Sequence, residues 1–188
     1  MRRRFFLFLF LCVALPAVLF AAGAEDDKPT VAGITLTASG GRLLLAAAVK
    51  NSFTKEMLEG VQNGIPVIFR FTMKLERVRS YWFNKELAAL DISHTLSYDP
   101  IRREYQIVFS EKKQPHSTRS LSEAQRLMAE LKGLEIAKLD QLAAGSGCAL
   151  HIKATLAENT FPLGLHMIIP FTSLWNIETD WRTVEFTY

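Results

Sequence analysis

Residues 65–83 read IPVIFRFTMKLERVRSYWF, and they contain the longest strictly alternating pattern in the sequence. Successive side chains of a β-strand point to opposite faces of a sheet. One face of this segment is mostly polar or charged, and the other is apolar and consists of Val67, Phe69, Phe71, Met73 and Leu75. Full burial of the apolar face is worth roughly 7–15 kcal/mol before conformational entropy is subtracted. We therefore expect a core strand that the rest of the chain covers, with a bulge or bend at Val78, where the alternation breaks.

Other short alternating runs surround this segment, and they lie at residues 34–38, 42–49, 91–98, 105–109, 150–156 and 182–188. Gly40-Gly41 separates the first two runs, as in a hairpin turn. Strands that follow one another through short turns favour antiparallel pairing. The sequence therefore predicts a mainly β fold, with antiparallel β-sandwich-like sheet(s) of about seven or eight strands. A further apolar stretch, residues 162–170, is compatible with a strand or with a packed loop.

Two short helices complete the predicted fold. The first spans about residues 54–62 and has an apolar face at helical spacing. The second follows the capping-box sequence SLSE at residues 120–123, and its apolar stripe continues to Leu131 before Gly133. Both helices are expected to cover an edge or an end of the sheets.

The N-terminal segment has the three parts of a secretory signal peptide. Arg2, Arg3 and Arg4 precede an apolar run over residues 5–20, and Ala22-Gly23-Ala24 precedes an acidic group. We therefore predict a signal peptide at residues 1–24, a linker at 25–32 and a single globular domain at 33–188. The alternative is an uncleaved anchor, because the apolar run is close to the minimum length that spans a bilayer. The protein is expected to be exported and periplasmic, or anchored in the inner membrane facing the periplasm if the segment is retained.

The basic character of the whole chain comes from this segment. The chain has 22 Lys and Arg against 19 Asp and Glu. Three of the Arg residues and none of the acidic residues lie in residues 1–24, so the remainder has equal numbers of each sign. A balanced charge gives no support to nucleic-acid binding, and we expect none.

The groups that could support catalysis are scattered. Cys148 is the single cysteine left after cleavage, and a small buried residue is a simpler interpretation than a nucleophile. His94 lies on the apolar side of its run, which predicts a buried, hydrogen-bonded side chain. The histidines form no spaced metal-binding pair: His94, His116, His151 and His166. We predict no enzyme, no catalytic residues, no metal and no cofactor; a hydrolase would need a pocket that brings Cys148 or a histidine to acidic partners.

A candidate recognition surface combines basic and aromatic side chains on and beside the central strand: Arg70, Lys74, Arg77, Arg79, Tyr81 and Trp82. Together with Arg102 and Arg103, these bases could bind an anionic group of a lipid or a partner protein if several of them converge. The alternative is a solvated outer face of the sheet, where Lys and Arg are common and oppose edge pairing.

The tryptophans raise a second hypothesis for a binding surface. Trp82, Trp175 and Trp181 could form an aromatic platform for a sugar or an extended peptide. Large aromatic side chains are highly buried on average, so the alternative is that they close the ends of the sandwich.

Several short pieces of sequence occur in a specific order. They are NGIPV at 63–67 with RVRSYW at 77–82, LSY at 96–98 with REY at 103–105, SLSEA at 120–124, and Trp175 with DW at 180–181. This order resembles the domain of unknown function 4390 family over roughly residues 31–188, with Tyr81 where the family pattern has the first of two tryptophans. The resemblance implies an exported bacterial protein with no assigned activity, and it supplies no catalytic residues.

The function that these observations favour is a noncatalytic exported envelope binding or interaction module that contacts protein or anionic lipid. The alternative is a structural or assembly factor of the cell envelope that an uncleaved N-terminal segment tethers to the membrane. The partner is accordingly expected to be an envelope protein or an anionic lipid. The mature N-terminus distinguishes the two forms, since a start at Glu25 indicates the cleaved protein.

Overall fold

The computed structural model of the protein describes residues 28–156 and 177–188. The predicted signal segment, residues 162–170, His166 and Trp175 lie outside the described residues. In chain order the elements are β1 (Thr30–Ser39), β2 (Arg42–Lys50), α1 (Lys55–Gln62), β3 (Val67–Arg77), β4 (Lys85–Asp99), β5 (Glu104–Phe109), β6 (His116–Thr118), α2 (Leu121–Ala129), β7 (Glu130–Lys138), β8 (Gly147–Leu156), β9 (Ile177–Glu178) and β10 (Arg182–Thr187). A turn of 3-10 helix at Leu139–Gln141 follows β7.

β3 is a central strand of the larger sheet, as its alternating sequence predicts. It pairs with β4 along one edge and with β8 along the other. All five apolar side chains of its inner face are buried, and Phe69 and Phe71 are among the largest fully buried side chains. The outer face exposes Arg70 and Lys74 to solvent. The predicted core strand is therefore confirmed, although it ends at Arg77 and Val78 already lies in the following loop.

Two antiparallel sheets share one core, which confirms the predicted mainly β, sandwich-like fold with two short helices. The larger sheet has the order β10-β8-β3-β4-β5-β6, with β9 also paired to β8, and the smaller sheet has the order β1-β2-β7. Leu45 of β2 and Leu131 of β7 belong to the same hydrophobic cluster as Phe69 of β3. Met128 of α2 joins this cluster, so the helix also covers the core.

The first hairpin and the first helix form where the sequence predicts them. Gly40 and Gly41 connect β1 to β2 with φ angles of +55° and +75°, a conformation that glycine adopts without steric cost. Thr54 caps α1, because its side chain accepts a hydrogen bond from the Met57 N–H at 3.3 Å. The helix ends at Gln62 with Asn63 as its C-cap.

The second helix is shorter than predicted. It begins after Ser120 but ends at Ala129, and the chain continues directly into β7. Leu131 is buried opposite Ala47 of β2, so strand pairing in the smaller sheet overrides the helical spacing of the apolar residues. Gly133, with φ +63°, lies inside β7 and does not cap the helix.

The domain begins earlier than the predicted boundary at residue 33. β1 starts at Thr30, and Val31 is buried opposite Val49 of β2. The last three residues of the predicted linker, 30–32, are therefore part of the first strand. Burial of Val31 and pairing with β2 supply the free energy that orders this segment.

The β3–β4 connection lies at the same end of the molecule as the Gly-Gly turn. The carbonyl oxygen of Gly41 accepts a hydrogen bond from the Leu139 N–H at 2.9 Å. In the same 3-10 turn, the Gln141 carbonyl accepts one from Nη2 of Arg77, the last residue of β3, at 3.3 Å. These contacts join the two sheets beside the loop.

The start of β1 lies at the opposite end. Thr30 pairs with Lys50, and the segment that follows Lys50 brings Phe53 against Phe69, with 4.8 Å between the ring centroids. Phe69 precedes Arg77 by eight residues of β3, which corresponds to about 26 Å along the strand. None of the helices in the part of the chain that the structure describes is long and apolar enough to cross a membrane.

Candidate recognition site

Residues 78–84 connect β3 to β4, and we call this segment the aromatic loop. Three consecutive side chains on it are almost fully exposed: Tyr81 at 95%, Trp82 at 79% and Phe83 at 92%. With Val78, they make up four of the eight large hydrophobic residues that are exposed within residues 28–156 and 177–188. Contiguous exposed apolar groups mark interaction sites more often than isolated ones do. The loop is therefore the strongest candidate site in this part of the chain.

Hydrogen bonds at its base fix the path of the aromatic loop. The Val78 N–H donates to the carbonyl oxygen of Gly147 at 2.9 Å, which ties the loop to β8. The Asn84 side chain closes the other side, because its Oδ1 accepts from the Arg79 N–H at 3.4 Å and its Nδ2 donates to Glu76 Oε2 at 3.1 Å. The exposed aromatic residues thus lie on a short loop with a braced base.

The hairpin below the loop is paired up to its end. β3 and β4 remain in register as far as the Arg77–Lys85 pair, with one irregularity between Leu75 and Glu76. β8 accompanies β3 as far as Arg77 on the other edge. The aromatic loop therefore follows directly from the regular part of the larger sheet.

Basic side chains flank the aromatic residues. From Arg77 to Lys85 every charged residue is basic, with Arg79 between them. Arg79 and Lys85 are exposed, whereas Arg77 is half-buried on the core-facing side of β3 and donates to Gln141 as described above. The candidates Arg79, Tyr81 and Trp82 are thus brought together on the loop, while Arg77 braces its base.

Arg70 and Lys74 lie on a different surface, the outer face of the larger sheet. Acidic groups occur on the same face: Asp91 accepts from Thr72 at 2.7 Å. On the adjoining strands, Lys153 Nζ lies 3.4 Å from Glu178 Oε2. This mixture of charges matches the solvated-face alternative, because a single anion site would need bases that converge.

The remaining two bases, Arg102 and Arg103, lie in the turn between β4 and β5, at the far end of β4 from the aromatic loop. Arg102 Nε is 3.9 Å from Asp99 Oδ2 in the same turn. The six bases considered in the sequence therefore do not converge. Ile101 in this turn is 93% exposed, and it serves below as a control position.

The described tryptophans do not form a platform together. Trp82 lies on the aromatic loop, whereas Trp181 precedes Arg182, which pairs with Ile152 in the middle of β8. Lys153 Nζ lies 5.4 Å from the centroid of the Trp181 ring, within the range of a cation–π contact. Trp181 thus packs along the larger sheet, and Trp82 is the more exposed of the two.

His94 is buried and hydrogen-bonded, as the sequence predicts. Its Nδ1 lies 3.0 Å from the Met128 carbonyl oxygen, so Nδ1 donates, and its Nε2 lies 3.2 Å from Glu111 Oε1. The ring packs edge-on against Phe71 and Phe109. Burial lowers the pKa of His94, and the Glu111 carboxylate opposes this effect without cancelling it.

Cys148 is also fully buried, in agreement with its interpretation as a small core residue. Its Sγ lies 3.9 Å from the Ser146 carbonyl oxygen. Within the residues that the structure describes, no group of three or more His, Cys, Asp or Glu side chains is arranged to hold a metal ion.

Phe83 belongs to the site but is missing from the surface predicted from sequence. The surface predicted from sequence ends at Trp82, one residue before Phe83, because it was chosen for its mixture of basic and family-like aromatic residues. One sequence signal could have identified it. Ser80 and Asn84 flank the three aromatic residues, and both Ser and Asn favour turns.

Comparison with known proteins gives one finding about relationship. Among curated proteins and among solved structures, no significant match to the chain is found. The family model described as "Domain of unknown function (DUF4390)" matches residues 26–185, which is most of the chain. The protein therefore belongs to the DUF4390 family.

Proposed function

We propose that the protein is a noncatalytic binding module of the bacterial cell envelope and that the aromatic loop is its binding element. The observation that carries the proposal is the exposure of Tyr81, Trp82 and Phe83 on consecutive positions of one loop. Tyr and Trp are enriched among the residues that dominate binding free energy. Three such groups in water are costly unless a partner covers them.

The braced base of the loop supports this role. The Asn84 side chain bonds to both Arg79 and Glu76, and Val78 is tied to Gly147. A loop that is held near its bound shape loses less conformational entropy on binding than a free segment.

The location in the envelope rests on the N-terminal segment. Three Arg residues, an apolar run and small residues before residue 25 match an export signal. We place the protein in the periplasm after cleavage, or at the inner membrane facing the periplasm if the segment is retained.

A site-specific crosslinking experiment tests the binding role. A photo-crosslinking amino acid is placed at position 82 in the full chain and, as a matched control, at position 101, which is even more exposed but lies at the far end of β4. We expect an adduct with protein or lipid in intact cells from position 82 and none from position 101. Equal labelling at both positions, or no adduct at position 82, would contradict the proposal.

A further inference from the structure

The aromatic loop presents its side chains to solvent around a shallow, open depression that residues 80–84 line. Tyr81, Trp82 and Phe83 are each more than three-quarters exposed, so they form an apolar tip at the end of the β3–β4 hairpin. An exposed apolar tip needs a partner that deforms around it or already has a cleft. A fluid bilayer interface meets the first condition without any dedicated pocket.

The residue types match the chemistry of that interface. Tyr and Trp prefer the headgroup level of a membrane, where the ring enters the apolar region and the O–H or N–H stays hydrated. Phe83 next to them has no polar group and is suited to the deepest position.

The charges around the tip add selectivity for anionic lipid. Arg79 lies within the loop and Lys85 lies at its end, and both are exposed. The acidic residues nearest the loop in the hairpin are Glu76, which is bonded to Asn84, and Glu86. Asp140 is exposed in the neighbouring 3-10 turn. Basic residues beside a membrane surface are attracted to anionic headgroups over about a Debye length.

We propose that the aromatic loop inserts Tyr81, Trp82 and Phe83 into the headgroup region of an anionic lipid bilayer, with Arg79 and Lys85 at the lipid phosphates. This inference rests on the proposed function, in which the loop is the binding element, and it names the partner. The β3–β4 hairpin approaches the bilayer with its loop first, and the rest of both sheets stays in water.

The test uses a readout that reports on the loop alone. The protein is taken in its cleaved form, beginning at Glu25, so that the N-terminal segment cannot hold it on the vesicles, and the Trp175→Phe and Trp181→Phe substitutions leave Trp82 as the only tryptophan. Its emission is recorded with vesicles of phosphatidylethanolamine and phosphatidylglycerol, with phosphatidylcholine vesicles, and with lipids brominated along the acyl chain. We expect a blue shift and bromine quenching on the anionic vesicles.

Matched variants assign the effect to named residues. Replacing Tyr81, Trp82 and Phe83 by Ser in the otherwise native chain is expected to weaken vesicle binding by roughly a hundredfold or more, whereas Ile101→Ser leaves it unchanged. The Arg79→Ala, Lys85→Ala double variant is expected to weaken binding about thirtyfold on anionic vesicles and to leave binding to phosphatidylcholine unchanged. Each variant is checked for a native unfolding transition.

Two results overturn the lipid proposal. One is Trp82 emission that does not change on anionic vesicles, and the other is vesicle binding that survives the triple Ser substitution. If crosslinking at position 82 still captures a protein in cells, the loop remains a binding element and its partner is that protein. If both experiments fail, the proposed function fails with the lipid inference.

Discussion

Removal of the aromatic side chains from the loop should leave the fold almost unchanged. Tyr81, Trp82 and Phe83 are 95%, 79% and 92% exposed, so only a small fraction of each side chain is buried. The three buried fractions together equal about a third of the surface of one aromatic residue. An aromatic side chain buries roughly 150–250 Å² when it is fully covered, so the three together bury about 50–85 Å². At about 25 cal/mol per Å², their replacement by Ser should lower the free energy of unfolding by about 1–2 kcal/mol.

The contrasting variant is Phe71→Ala in the core of β3. Phe71 is buried and packs against the His94 ring. Removal of a buried phenylalanine typically costs about 3–5 kcal/mol, because the lost transfer free energy is joined by a cavity. Urea unfolding followed by circular dichroism measures both variants under the same conditions, with Ile101→Ser as the exposed control.

The comparison can refute the reasoning directly. If the triple Ser variant is destabilised by as much as Phe71→Ala, the three aromatic residues pack against the protein in solution. The loop would then be a structural plug, as the sequence alternative for the tryptophans supposed. A small effect on stability, combined with loss of binding, would separate recognition from folding.

Three further predictions concern the scaffold. Burial lowers the pKa of His94, so the unfolded state takes up a proton more readily than the folded state. The stability that neutral His94 contributes should therefore be fully present above a pH of about 6.5 and should fall as the pH drops below that value. An NMR titration midpoint for His94 at or above its ordinary value would contradict this prediction. Thr54→Ala should cost about 1 kcal/mol through loss of the α1 cap, with Thr54→Ser nearly neutral in urea unfolding. Gly41→Ala should cost roughly 1–2 kcal/mol because its φ is +75°, although no atom would meet the added methyl group; an unchanged thermal midpoint would show that the turn adapts.

The core of the larger sheet was predictable because its signal is local. Alternation from Val67 to Leu75 has one interpretation as a strand, and Gly40-Gly41 and the Thr54 cap are short-range turn and helix signals. The boundary between α2 and β7 was not predictable in this way. Leu131 continues the helical stripe in sequence, but its burial opposite Ala47 depends on a strand that is far away along the chain.

The sequence singled out the segment that contains the candidate site, but it did not predict the shape of that segment. The sequence indicates a dense basic and aromatic mixture at residues 77–82, yet Tyr, Trp and Phe favour strands, so a continuing strand was the natural prediction. Whether Arg70 or Arg77 lies on the same surface as Arg79 depends on the face of β3 that each side chain occupies and on the residue at which β3 ends. The structure separates them, because Arg70 lies on the outer face and Arg77 on the core-facing side.

Thr30 and the aromatic loop lie at opposite ends of the domain, so the N-terminus and the candidate site face in opposite directions. If the N-terminal segment stays in the inner membrane and the strands stand upright, the loop is held about 26 Å or more above that bilayer. The body would then act as a spacer that presents its tip across the periplasm. Cleavage after Ala24 would remove that constraint and let the tip turn toward either membrane. Processing of the N-terminus therefore decides which surface the loop can reach.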